Sequence, residues 1–239
     1  MGGRRLKLAA AASWLHKWLA LIVSVQVLFW VASGLFFAVY PIAQVRSEHR
    51  IAEHEYPALA AAELPAPQAI MALVAERPMK LSYERDVLGR AVAIAEFEKR
   101  APALIDLASL RVLSPLDEDS ARAIASAYVQ RAPAIREARL VTAESPQYRG
   151  ALPAWRIAFD DKEGLAIYVA ADTGRVGARR SDLWRLYDAL WALHIMDWRD
   201  HENFNTGLLI VFSLTTLIVV LAGFVLFPYR LKLPRRRAD

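Results

Sequence analysis

Leu193-His194-Ile195-Met196-Asp197-Trp198-Arg199-Asp200-His201-Glu202-Asn203-Phe204-Asn205 runs directly into residues 206–229, which carry no charge. Two histidines seven apart, three acids, two asparagines and a tryptophan stand immediately before that apolar run. About 23 such residues are enough to cross a bilayer as a helix. A chain that needs only an anchor has no use for so much polar chemistry beside it. The box is therefore either a site or a collar at headgroup level, and the rest of the chain has to decide between them.

Outward from the box, the second span is followed by Arg230, Lys232, Arg235, Arg236 and Arg237. The other end of the chain mirrors it: Arg4, Arg5, Lys7 and Lys17 precede an apolar run over residues 18–43. That run makes about 39 Å of helix at 1.5 Å per residue. A cleavable signal peptide has a shorter apolar core of about 7–15 residues, so the run reads as an uncleaved signal anchor. Basic residues flank the outer end of both spans, which predicts both termini in the cytoplasm. Residues 46–205 are then expected on the far side, periplasmic if the membrane is a bacterial inner membrane. Trp14, Trp18, Tyr40, Trp198, Phe204 and Tyr229 fall where an aromatic belt would stand.

Composition agrees with this layout. The 239 residues are 56% hydrophobic with a net charge of +5, and the basic excess clusters beside the spans rather than on a phosphate-binding face. Nucleic acid is therefore not an expected partner, whereas the lipid bilayer is. The absence of cysteine removes disulfides, iron–sulfur clusters, thiolate zinc sites and c-type haem attachment. The expected division is a basic N-terminus (1–13), a first transmembrane helix (14–45), a folded extramembrane domain (46–180), an amphipathic helix and interfacial junction (181–205), a second transmembrane helix (206–229) and a basic tail (230–239).

Inside the first span His16, Ser24, Gln26 and Ser33 depart from plain apolar sequence. Gln26 and Ser33 are seven apart, on one helical face with Trp30 between them. A polar seam of that kind packs against another helix, and Ser213, Thr215, Thr216 and Gly223 of the second span are the expected partners. Two helices enclose little, which predicts a homodimer or a further membrane subunit. Trp184, Tyr187, Leu190, Trp191 and His194 recur at helical spacing and predict an amphipathic helix over 181–197.

The extramembrane part carries a weak repeat. A helix over 67–75 precedes alternating, strand-like segments at 79–83 and 90–97, with a third strand at 110–115. The acidic run Asp117-Glu118-Asp119-Ser120 then caps a helix over 121–130, followed by strands at 138–142, 153–159 and 165–169. Each unit is a helix followed by an antiparallel meander, so the domain is of the α+β class, carried by two transmembrane α-helices.

The segment from Pro153-Ala154-Trp155-Arg156-Ile157 to Ile167-Tyr168-Val169-Ala170-Ala171-Asp172-Thr173-Gly174-Arg175-Val176 resembles the PepSY domain. Ala171 stands where that family often has aspartate. Leu15-His16-Lys17-Trp18-Leu19-Ala20-Leu21 resembles the opening of the PepSY-associated transmembrane family. Ala192-Leu193-His194-Ile195-Met196-Asp197-Trp198 is similar to the approach to the last span in its short, two-span members. The resemblance implies two PepSY-like units and electron transfer in the membrane. It also implies b-type haem held by intramembrane histidines, with a periplasmic redox protein or metal chelate as partner. PepSY modules that resemble inhibitory propeptides imply the alternative, a binding or regulatory module holding a peptidase or membrane-complex partner without a cofactor.

His16, His194 and His201 are the candidate haem ligands. One chain cannot bring His16 to His194 across about 30 Å of hydrocarbon, so each would meet a ligand from another chain. His49 and His54, with His201 and Glu202, are a weaker candidate metal site set against a solvated connector that continues the first span as helix. Asp197, Arg199, Asp200 and Glu202 read as a polar collar. The chain shows no nucleophile elbow, phosphate loop or His-Glu-x-x-His pair, so no hydrolase or transferase signature is present, and a redox subunit stays open.

Overall fold

The computed structural model describes residues 2–230, with side chains omitted at 2–9, 12, 226 and 228–230. The chain forms two compact units, one of residues 1–39 and 188–239 and the other of residues 40–187. The basic tail after Arg230, the basic side chains before Lys17 and the Tyr229 side chain lie outside the described residues.

The first unit is built on helix α1 (Gly2–Val39) and helix α6 (Gly207–Arg230). Within them, Ser13–Val39 and Gly207–Val225 are long and apolar enough to cross a membrane. Their outward faces are apolar and exposed, with Trp14 65% and Phe224 72% accessible, a surface that suits hydrocarbon and not water. A half-buried stripe at helical spacing, including His16, Val23, Gln26, Trp30 and Ser33, marks the inner face of α1. The first span was expected to reach residue 45, but α1 ends at Val39. Pro41 follows Tyr40, and the residue before a proline is pushed out of the helical region. Beyond it come a four-residue helix α2 (Ile42–Val45), Ser47 in the left-handed region at φ 55° and a 3-10 turn at Glu48–Arg50. The connector does not continue the span as helix.

The second unit holds two helix-plus-sheet layers. Helix α3 (Pro67–Met71) precedes strands β1 (Lys80–Arg85), β2 (Ala91–Glu96), β3 (Ala103–Asp106) and β4 (Arg111–Val112), an antiparallel sheet in sequential order. Helix α4 (Glu118–Tyr128) precedes β5 (Ile135–Val141), β6 (Ala154–Phe159), β7 (Ala166–Ala170) and β8 (Val176–Arg180), again in sequential order. The third strand of the first layer differs from expectation: β3 lies earlier, and Leu110 at φ 54° turns the chain into the two-residue β4. Helix α3 is also shorter than expected.

The main core lies between the sheets and around α4. Alternate residues Val92 and Ile94 of β2 and Ile157 and Phe159 of β6 meet Ile124 and Ala125 of α4. Asp117 caps α4 by accepting the Ser120 N–H at 2.8 Å. The Asp172-Thr173-Gly174 turn sits on this core. Gly174 has φ +69°, and a Cβ there would stand 3.2 Å from Ile124 Cδ1 and 3.3 Å from Leu116 Cδ1, so only glycine closes the turn this tightly. Ala171, where the resemblance calls for aspartate, works through its backbone, donating to Pro153 O and accepting from Leu116 N–H. Opposite faces are covered by Ile70 of α3 on the first sheet and by Tyr148, stacked 4.6 Å from Tyr168, on the second. Helix α5 (Asp182–Ile195) then leaves this unit and ends in the first.

Candidate functional site

The two membrane-crossing segments of the first unit differ in length. Ser13–Val39 has 27 residues and Gly207–Val225 has 19, about 40 Å and 28 Å of helix. The last eight residues of α5, from Asp188 to Ile195, supply about 12 Å and make up the difference. They pack on the upper third of α1: Phe37 meets the Trp191 ring edge-on at 6.0 Å, and Ser33 meets His194. The arm opposite α1 is therefore two helices end to end, α5 and α6, interrupted by residues 196–206.

Ending a helix beside an apolar span leaves carbonyls without partners. Here the break caps itself. Met196 takes the left-handed conformation at φ 54°, and Asp197 N–H bonds back to Ala192 O at 3.0 Å, a Schellman closure without the usual glycine. The next two carbonyls are taken by α1. Gln26 Nε2 donates to Leu193 O at 3.2 Å and Trp30 Nε1 donates to His194 O at 2.7 Å. The seam Gln26–Trp30–Ser33 was expected to meet hydroxyls of the second span, and it meets the end of α5 instead. Thr215 and Thr216 donate to their own carbonyls one turn back, Val211 O and Phe212 O.

The loop is organised by Asp197, which is only 7% exposed. Its carboxylate accepts the backbone N–H groups of Asn203 at 2.9 Å, Glu202 at 3.0 Å, Asp200 at 3.2 Å and Arg199 at 3.4 Å. Those donors, Asn203 and Glu202 foremost, hold its pKa at about 2. Asp197 is thus the nucleus of the loop rather than part of a collar, while Trp198, Arg199, Asp200 and Glu202 remain exposed.

Each candidate histidine has Nδ1 engaged. His16 donates Nδ1–H to Val219 O at 2.9 Å, its ring lying where α6 carries Gly223; a Cβ at Gly223 would stand 3.3 Å from His16 Cε1. His194 Nδ1 lies 2.7 Å from Ser33 Oγ, which also lies 2.7 Å from Phe29 O. Its ring is set among Trp30, Phe37 and Trp191, the last parallel to within 3°. His201, at φ 60°, pairs Nδ1 with Asp188 Oδ2 at 2.6 Å, and its carbonyl accepts from Trp191 Nε1 at 3.2 Å. Asp188 carried no signal in the sequence beyond being one acid on an amphipathic helix.

Beside His194 the interruption opens a cleft of about 410 Å³ between Trp30, Trp191, Ile195, Phe204, Leu209 and Ser213. His49 faces Glu163 at 3.9 Å, His54 bonds Ala127 O at 2.9 Å, and no group of three metal-ligating side chains occurs among the described residues.

An α+β unit joined to a pair of apolar helices with an interrupted second arm defines a membrane protein with a folded extramembrane module. The chain belongs to the PepSY-associated TM region family, whose sequence model matches residues 5–238. No curated protein and no solved structure matches the chain.

Proposed function

We propose that the protein is a membrane-anchored PepSY subunit that supports electron transfer to periplasmic redox partners or metal chelates. The reading places both termini in the cytoplasm and residues 46–205 in the periplasm of an inner membrane, with the two helix-plus-sheet layers as PepSY-like units. The observation that carries it is the orientation of His194. An imidazole held through Nδ1 by Ser33 and walled by three aromatic rings is far more ordered than an anchor requires.

Haem b is the cofactor the family implies. The chain's residues fit it as half-sites only: each imidazole uses Nδ1 on the protein, as metal-bound histidines do. His16 and Ser33 are 17 positions apart on one helix, about 25 Å, so His16 and His194 cannot share a ring plane. His16 with its copy in a homodimer, or with a histidine of another membrane subunit, is the arrangement in which a haem would supply one-electron chemistry. His201 serves to hold residues 196–206 to α5.

An absorption spectrum of detergent-purified protein from haem-replete cells tests the cofactor. A Soret band lost in His16→Ala supports it, and colourless, fully folded protein removes it. A reporter fused after Asp239 tests the topology: activity on the periplasmic side refutes it. The second reading, a cofactor-free binding module, rests on β5, an outer strand seven residues long that carries exposed Arg136 and Arg139 and suits strand addition.

A further inference from the structure

We infer that the cleft beside His194 is a binding site for the ring of a membrane quinone or quinol. The inference rests on the electron-transfer reading and names the class of molecule that would serve it. Three features of the cleft set its ligand chemistry.

The first is access. Leu209 and Ser213 lie in the first two turns of α6, inside a membrane-crossing segment, and the opposite wall is Trp30 of α1. A ligand reaches this cleft from hydrocarbon, with a long apolar tail left in the bilayer. The second is shape. Trp30, Trp191 and Phe204 present aromatic surface, and about 410 Å³ lies at the small end of ligand sites, suiting one planar ring rather than a macrocycle.

The third is the polar pair. Ser213 is the one hydroxyl on the two segments without a hydrogen bond among the described residues. Ser24, Ser33, Thr215 and Thr216 all donate to carbonyls of their own helix, and Ser13 has a partner. A hydroxyl at that depth that ignores its own helix costs free energy unless something else takes it. On the other wall, His194 has Nδ1 on Ser33 and, among the described residues, no partner at Nε2. Both residues line the cleft, and two hydrogen-bonding groups among aromatic side chains match a ring that carries oxygens. An acyl chain uses neither group.

Ser33 lets the imidazole serve both oxidation states. Its hydroxyl carries one hydrogen and lies 2.7 Å from both Phe29 O and His194 Nδ1. Given to Phe29 O, it leaves the imidazole hydrogen on Nδ1, and Nε2 accepts from a quinol O–H. Turned to Nδ1, it leaves the hydrogen on Nε2, which donates to a quinone carbonyl. The two arrangements are the two neutral tautomers of the imidazole: going from one to the other takes a proton off Nδ1 and puts one on Nε2, the Ser33 hydroxyl turning to match, with no change of net charge.

The test is titration of full-length protein in quinone-free nanodiscs with ubiquinone-1, followed by quenching of tryptophan emission. The expected result is a saturable component that Ser213→Leu, which fills the cleft with a residue compatible with lipid, weakens at least tenfold. Ser33→Ala and His194→Gln weaken it to a similar degree, with circular dichroism unchanged. Non-saturable quenching that is the same in wild type and Ser213→Leu overturns the inference. So does a Soret band that His194→Gln removes, which would put a haem in the cleft and leave the electron-transfer reading standing. Saturable binding in a protein that passes no electrons from quinol to any periplasmic acceptor would keep this site and refute the broader reading.

Discussion

Replacing Trp30 with phenylalanine isolates one hydrogen bond at the interruption. The substitution keeps an aromatic ring on α1 and deletes the indole N–H that stands 2.7 Å from His194 O. His194 O is one of the last carbonyls of α5 and receives no intrahelical donor. Leaving such a group buried without a partner costs about 1–3 kcal/mol. If the end of α5 opens locally, that cost appears as about 5- to 150-fold faster amide exchange. Hydrogen exchange read by mass spectrometry on peptides spanning 188–205 measures it, with 165–171 of β7 as an internal reference. Gln26→Leu removes the longer 3.2 Å bond to Leu193 O and should give a smaller change, about 2- to 13-fold. Unchanged exchange over 188–205 in Trp30→Phe would falsify the capping role. Equal acceleration in β7 would show the substitution acts on the whole protein instead.

Asp197→Asn should loosen residues 196–206 at neutral pH, because the amide nitrogen faces N–H groups that the carboxylate accepted; limited proteolysis between Trp198 and Phe204 should accelerate, and equal resistance to wild type refutes the loop's nucleus. The wild-type carboxyl pKa is held at about 2 against an ordinary 3.8, so its contribution is complete above about 3.8 and is lost as pH falls through about 2. Protease resistance of the loop that fades between pH 6 and 5 would contradict this window. Gly223→Leu must displace the His16 ring and should destabilise the α1–α6 pair by about 1–3 kcal/mol in thermal unfolding in detergent, with Gly223→Ala milder. Gly174→Ala combines a left-handed backbone with contacts at 3.2 and 3.3 Å in the main core, and should cost about 1–3 kcal/mol, read as loss of strand circular dichroism at lower temperature. An unchanged melting curve for Gly174→Ala rejects the tight seating of that turn.

The elements that announced themselves did so through strong local chemistry. Helix α6 is visible because a run without charge has few alternatives, and α4 because Asp117 caps an amphipathic stretch. Strand β2 follows from alternation after the turn at Gly89, and β6 and β7 from the Asp160–Gly164 turn that joins them. Helix α3 was overestimated because apolar spacing continues past the point where the chain leaves the helix. Periodicity also showed which face of α1 carries Gln26, Trp30 and Ser33, but a face does not name its partner. Hydroxyls on α6 were reasonable candidates, but Thr215 and Thr216 satisfy their own helix instead. The interruption itself had almost no local signal. Met196 occupies a conformation that glycine would have advertised, and Asp197 gathers donors that exist only once the loop has folded around it.

The split second arm has a consequence for how the protein enters the membrane. Of the two pieces of this arm, only α6 is long and apolar enough to cross a membrane; the end of α5, with Asp188, Trp191 and His194, is not. Its terminal carbonyls can leave water only when Gln26 and Trp30 are there to receive them. If α1 and α6 cross the membrane as proposed, insertion is expected in two stages: α1 and α6 first, then α5 drawn down along α1 once the two have paired. On that order residues 188–206 are the last part of the first unit to assemble, and a newly made molecule would have its anchor before it has its cleft.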